Sequence, residues 1–204
     1  MDTTAPIPPE LEALVRKLVD EQVNERLKGV ESTLQSLKGQ VAQGGGNVPE
    51  DRTTLVVFSG EMDTLFAAFT IAVGSASMGM EVSMFFTFWG LNALKKGRTL
   101  KGKKLGEKMA ALMMPSGPAS VPTSRMNMAG MGPLFFKYLM KQKNVQSLPN
   151  LVALAQELGI RMVACETSMG VMGLRRDELL DGIDYGGVAT YLGDAARSKI
   201  TLFI

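Results

Sequence analysis

A chain of 204 residues with 22 basic and 20 acidic side chains, net +2, can build one compact core with an appendage but carries no general field for a polyanion, so nucleic acid is not implied as a partner. It has no histidine and one cysteine, Cys165, so this chain alone cannot form a Ser-His-Asp triad, a Cys-His dyad, a histidine-ligated zinc, an intramolecular disulfide or a Cys-x-x-Cys redox pair. A lone thiol is compatible with a reducing compartment, and Met1-Asp2-Thr3-Thr4 lacks the charged start and apolar run of a secretory signal, which makes the cytoplasm the expected location.

Residues 10 to 41 read as an amphipathic helix. Val23, Leu27, Val30, Leu34, Leu37 and Val41 alternate four and three apart, a heptad seam, while Leu11, Leu14, Val15 and Leu18 share the face less regularly, with a register shift expected near Asp20. Gln43-Gly44-Gly45-Gly46-Asn47 reads as a flexible tether. The seam calls for a covering surface, and self-association through a coiled coil into a homo-oligomer is the expectation. The division is therefore 1–47, helix and linker, and 48–204, a separate domain.

Beyond the tether the pattern is strand, helix, strand, helix, the signature of an α/β fold with a parallel sheet. Leu55-Val56-Val57-Phe58 is a buried strand, Asp63 to Gly79 its crossover helix and Val82 to Phe88 the next strand. The uncharged stretch Thr64 to Met80 also raises a membrane span. It is short against the roughly 20 residues needed to cross a bilayer, and Gly74, Ser75, Ser77 and Gly79 dilute it. The crossover reading is preferred, with peripheral membrane contact left open.

From about 97 to 146 lies an insertion longer than an ordinary connection, and basic residues are concentrated between Lys95 and Lys108. It holds or borders Met109, Met113, Met114, Met126, Met128, Met131 and Met140. Methionine is soft and adaptable, so such a set fills an irregular core or forms a deformable lid or partner surface, the former being the commoner outcome.

Ser147-Leu148-Pro149-Asn150 is a helix start with proline in the first turn, and Leu151 to Leu158 supply an apolar face. Ile160 to Ala164 is a short buried strand, followed by a helix-like segment from Glu166. Arg175 to Leu180 reads as a short helix, Gly186-Gly187 as a loop or helix start, Val188 to Arg197 as a helix and Thr201 to Ile204 as a closing strand.

Cys165 thus stands at a strand-to-helix switch, where strand carboxyl ends gather ligands and helix amides favour the thiolate, the nucleophilic form. A buried, inert cysteine is the competing reading. Ser168 and the amides after Cys165 are candidates to stabilise its charge. Ser59, Gly60, Trp89 and Gly90, after neighbouring strands, are expected to line the same crevice. Glu166 is a nearby charge, though a carboxylate beside a thiolate opposes ionisation; Thr167 and Tyr191 complete the candidate set. Ser59, Ser168 and Tyr191 could equally be turn-formers or caps. No glycine cluster forms a P-loop or a dinucleotide turn, and neither cofactor nor metal is expected.

Several segments together resemble the DsrE/DsrF/DsrH-like sulfurtransferase family, in a long single-chain branch with an N-terminal helix and a methionine-rich insertion. They are Phe58 to Asp63, Phe86-Thr87-Phe88-Trp89-Gly90, Met126 to Gly132, Ala164-Cys165 with Ser168-Met169, and Gly186 to Asp194. The resemblance, covering roughly Thr54 to Ile204, implies a cytoplasmic, oligomeric sulfur-trafficking protein of flavodoxin-like α/β fold. Cys165 matches the position that carries a persulfide, handed between a donor and a TusA-like or rhodanese-like partner. Where that branch commonly has methionine two and aspartate five residues after the cysteine, this chain has Thr167 and Gly170. The alternative class is a non-enzymatic oligomeric binding or scaffold module in which Cys165 is structural. A peroxide-reactive thiol is weaker, because no activating arginine or resolving thiol is marked.

Overall fold

The computed structural model describes residues 9–43, 49–125 and 127–204, in two units, Met1–Asn47 and Val48–Ile204. The first contains helix α1 (Pro9–Gln43). On it Val23, Leu27, Val30 and Leu34 are each about half exposed. The tether from Gly44 to Asn47, the side chains of Leu11, Leu14, Val15, Leu37 and Val41, and Met126 lie outside the described residues.

The second unit is a parallel five-stranded sheet flanked by helices, the flavodoxin-like α/β architecture expected. In chain order it runs β1 (Glu50–Val57), α2 (Met62–Ser77), β2 (Glu81–Phe86), a 3-10 helix (Phe88–Leu94), α3 (Leu105–Met113) and α4 (Met131–Gln142). It continues with α5 (Leu148–Glu157), β3 (Arg161–Cys165), α6 (Glu166–Met172), β4 (Asp184–Gly186), α7 (Val188–Ala195) and β5 (Ser198–Phe203). Strand order is β4-β3-β2-β1-β5 and every ladder is parallel. β1 sits inside the sheet, in register with β2 (Val57 beside Phe86) and with β5 (Val56 beside Phe203).

Side chains alternate across a strand, and here the alternation builds two unequal layers. Leu55, Val57, Met84, Phe86, Met162 and Ala164 face a thick layer in which Leu65, Phe69 and Ala72 of α2 and Leu151, Val152 and Ala155 of α5 are buried. The small residues of α2 let it pack closely here, which explains the uncharged stretch without a membrane. No helix among the described residues is long and apolar enough to cross one. Ser147 caps α5, its hydroxyl accepting from the Asn150 amide at 3.3 Å.

The opposite face is thin, and its buried cluster is Val56, Phe85, Val163 and Cys165, with Tyr191 of α7 packed against it. Towards the strands' amino ends the same face turns polar at Arg52, Ser83 and Arg161. There Asp194, three residues after Tyr191, accepts from Arg161 Nη1 at 2.6 Å, Ser83 Oγ at 2.9 Å and Arg52 Nη1 at 3.1 Å. One side of α7 therefore carries an aromatic ring for the apolar half of the face and a carboxylate for the polar half, and this match sets the direction in which the helix lies.

The structure changes several local expectations. Gly186 ends a three-residue strand, β4, paired with β3 through Cys165 and Gly186, rather than lying in a loop or starting a helix. The second strand stops at Phe86, because Phe88 takes φ 43° and opens the 3-10 helix. Arg176–Glu178 is a single 3-10 turn.

The insertion holds two helices that the sequence reading left unassigned, α3 and α4. Its basic residues act as fasteners. Lys103 and Glu178 form a fully buried ion pair at 2.8 Å, Lys95 Nζ donates to the Pro115 carbonyl at 2.6 Å and Arg98 Nη2 to that of Met114 at 2.9 Å. The latter two satisfy carbonyls at the end of α3, where cations are favoured. Burial pulls the Lys95 ammonium below its usual pKa, with Glu178 opposing and Lys103 and Arg98 adding to the drop. Asp63, in the first turn of α2, holds the return of the insertion by accepting from the Ser124 amide at 2.9 Å and from its hydroxyl. Burial raises the Asp63 pKa, but those two bonds and the helix amides bring it below the usual carboxylate value. Of the methionines, Met114 and Met140 fill core, while Met109, Met113, Met128 and Met131 face outward.

Candidate functional site

Cys165 is the last residue of β3 and the residue before α6, with φ −69° and ψ 111°. An extended residue there leaves its side chain beside the first free amides of the helix. The thiol is 7% exposed. Burial raises its pKa, but four donors outweigh burial: the Ser168 hydroxyl, the Ser168 amide, the Thr87 hydroxyl and the Thr167 amide. The net effect holds the thiol below its ordinary value, the third of the three ways in which a protein shifts a titratable group. The two hydroxyls are themselves 2.8 Å apart, so where one donates to the other it is the accepting hydroxyl whose proton is left for the sulfur.

Thr87 belongs to this site and the sequence reading did not single it out. It follows β2, the strand beside β3, and the backbone turn after it brings the hydroxyl across. Phe88 at φ 43° is an uncommon conformation for a bulky residue, costing on the order of 1–3 kcal/mol. The turn is locked from below: the Gly90 amide bonds the carbonyls of Phe58 at 2.9 Å and Thr87 at 3.0 Å. A Cβ on Gly90 would stand 2.2 Å from the Val57 carbonyl oxygen, and one on Gly60 would stand 2.6 Å from that of Trp89. These two glycines permit the loops after β1 and β2 to touch backbone to backbone.

The eight residues named from the sequence around Cys165 thus divide. Thr167 and Ser168, in the first turn of α6, help hold the thiol's pKa down, and Tyr191 covers its cluster, with its ring 5.8 Å from that of Phe85. Gly60, Trp89 and Gly90 shape the neighbouring loop pair, with Trp89 half exposed. Ser59 turns away, donating to the Glu61 carboxylate. Glu166 pairs with Arg176, whose guanidinium lies 4.3 Å from the centre of the Tyr185 ring. Its charge is directed at a cation, away from the adjacent sulfur. Gly170 is exposed on α6 with open space where a side chain would go.

A cavity of about 580 Å³ opens elsewhere, lined by Met62, Met140, Lys141, Ser147 and Pro149 among others, and does not reach Cys165. Among the described residues, no three His, Cys, Asp or Glu side chains are grouped to hold a metal ion. The chemistry this arrangement offers is nucleophilic: a thiol poised to ionise at the start of a helix, beside the hydroxyls of Thr87 and Ser168.

Comparison with known proteins adds kinship to geometry. Residues 49–203 match the model of the DsrE/DsrF/DrsH-like family. The Uncharacterized protein YrkE of Bacillus subtilis (strain 168) is 50% identical over 154 residues, 75% of this chain and 96% of that protein. The Sulfur carrier protein DsrE2 of Allochromatium vinosum is 31% identical over 159 residues, 76% of this chain and 99% of that protein. The crystal structure of the ychN protein from E. coli superposes with a TM-score of 0.47 at 12% identity, over 75% of this chain and 98% of that one. On the family match and the two relatives, the chain belongs to the DsrE/DsrF/DrsH-like family.

Proposed function

We propose that this protein is a sulfur carrier in which Cys165 holds a sulfane sulfur as a persulfide and passes it to a thiol on a partner protein of the TusA-like or rhodanese-like kind. The observation that carries the reading is Cys165 placed where β3 ends and α6 begins, with the hydroxyls of Ser168 and Thr87 and the first amides of α6 lowering its pKa. The kinship with a protein called a sulfur carrier supports it. The Cys165 thiolate attacks the terminal sulfur of a donor persulfide, forming one sulfur–sulfur bond as the donor's bond breaks and its thiolate leaves. The acceptor thiolate then attacks the outer sulfur and Cys165 departs as a thiolate. Two thiols exchange one sulfane sulfur with no net oxidation, so the steps themselves call for neither metal nor cofactor. The same four donors that favour the thiolate also favour it as the leaving group in the second step. The setting we infer is cytoplasmic, and the assembly a homo-oligomer joined through α1.

The test is the intact mass of the protein after incubation with polysulfide, with and without reductant. The expected result is a sulfur-sized, reductant-reversible adduct that Cys165→Ser abolishes, and that appears on a small thiol carrier as it leaves this chain. If folded Cys165 takes up neither sulfur nor iodoacetamide, and reacts only after unfolding, the carrier reading is wrong and an oligomeric scaffold replaces it.

A further inference from the structure

A surface helix ordinarily turns its apolar stripe inward. Both helices of the insertion do the reverse. On α4, Leu134, Phe135 and Tyr138 are 68%, 57% and 57% exposed, while Pro133 and Met140 face in. On α3 only Ala111 is buried, and Leu105 and Met109 stand 77% and 60% exposed. Scattered exposed apolar residues need no explanation, but successive residues of one helical stripe do.

The charge around them is one-sided. From Val82 to Gln156 the chain carries eleven basic side chains and a single acidic one, Glu107, although the whole protein is only +2. Some of these cations fasten the insertion, as described above. Lys104, Lys108, Lys141 and Lys143 do not: they are exposed on or beside the same two helices.

We propose that the outward face of the insertion, α4 foremost, is a docking surface for an anionic lipid bilayer. Leucine, methionine and aromatic side chains rimmed by lysine are the composition of a helix that lies in the headgroup region. Anionic headgroups also supply the negative charge that the segment lacks. A second copy meeting this face with its own would set lysines against lysines with almost no carboxylate to answer them. A protein partner would have to bring an acidic rim of its own to meet these lysines, whereas an anionic bilayer presents that charge at every point of its surface. No helix among the described residues is both long and apolar enough to cross a membrane, and the contact proposed is peripheral. The inference is independent of the chemistry proposed for Cys165.

The experiment is cosedimentation of the full-length chain with sucrose-loaded vesicles of phosphatidylcholine, alone or mixed with phosphatidylglycerol, at low and high salt. Binding to the mixed vesicles is expected, weakening as salt screens the lysines. Leu134→Ser with Phe135→Ser should lower the partition coefficient at least tenfold while circular dichroism stays unchanged. Lys141→Gln and Lys143→Gln should each lower it about fivefold, the equivalent of about 1 kcal/mol per basic residue at an anionic surface. If the serine pair unfolds the protein, the two surface glutamines carry the test alone. Absent binding at low salt, equal binding to phosphatidylcholine alone, or binding indifferent to all four substitutions overturns the proposal. So does a crosslink through position 135 that joins two copies when vesicles do not bind, since the face is then a protein interface.

Discussion

Replacing Asp194 by alanine should both destabilise the Val48–Ile204 unit and make Cys165 easier to reach. The carboxylate is 5% exposed and accepts from Arg161, Ser83 and Arg52, with Arg197 Nη2 at 3.4 Å as a fourth donor. Breaking a buried ion pair costs about 3–5 kcal/mol, and stranding a buried hydroxyl such as that of Ser83, itself 2% exposed, costs about 1–3 kcal/mol. The two do not add in full, because every arginine keeps another acid: Arg52 has Glu50 and Glu81, Arg161 has Asp184 and Arg197 has Glu50. The expected loss is therefore about 3 kcal/mol. With a urea m-value of about 1–3 kcal/mol per molar, that is a fall of about 1–3 M in the unfolding midpoint. Because Tyr191 lies on the same side of α7 and packs on the Cys165 cluster, iodoacetamide should label Cys165 faster in the variant under conditions where the fold is intact. A loss below about 1 kcal/mol, or unchanged labelling, refutes the view that this carboxylate latches the cover of the thiol.

Other expectations follow from the same geometry. The pH midpoint for alkylation of native Cys165 should lie below that of the urea-unfolded chain, and Ser168→Ala and Thr87→Val should each move it up. Since the folded thiol is the more acidic, its ionisation adds stability above the unfolded thiol's pKa, lost as pH falls through the folded value; Cys165→Ser should remove that part of the pH profile. Thermal melts should separate two glycines: Gly90→Ala forces a Cβ against the Val57 carbonyl and should cost several kcal/mol, whereas Gly170→Ala, in open space on a helix, should gain about 0.5–1 kcal/mol. A chain beginning at Val48 should drop to a lower association state in light scattering, and an unchanged mass excludes α1 as the main oligomer contact.

What could be read from the sequence is what local chemistry dictates. Ser147 and Pro149 announce the start of α5 because a cap and a first-turn proline need only their own turn, and the run Leu55 to Val57 announces β1 because a parallel strand is buried on both faces. β4 gave no such signal. Asp184-Tyr185-Gly186 is a strand only because the edge of β3 pairs with it. The insertion helices are periodic, but their stripes face outward, so the rule that apolar faces seek the core misleads there. Cys165, Thr167 and Ser168 are neighbours in sequence and were found together. Thr87 arrives from another strand by a strained turn at Phe88, and the Arg176 that occupies Glu166 arrives by a fold-back ten residues later; neither approach leaves a mark on the local sequence.

The strand order also sets a timetable for the nascent chain. β1, made first among the five strands, finds one of its two neighbours only in β5, made after the other four, and helix α7 just before β5 is the cover of the thiol's face. Domains assemble as they leave the ribosome, and pairings far apart in sequence close slowly. Until α7 and β5 have been made, one edge of β1 is an open template for stray strands, and the layer over Cys165 is unmade. The pair α7 and β5 is thus a closing clasp. Ribosomes that stall before α7 release a chain with nearly the whole thick layer but a bare thiol, a species prone to aggregate and to react with whatever electrophile it meets first.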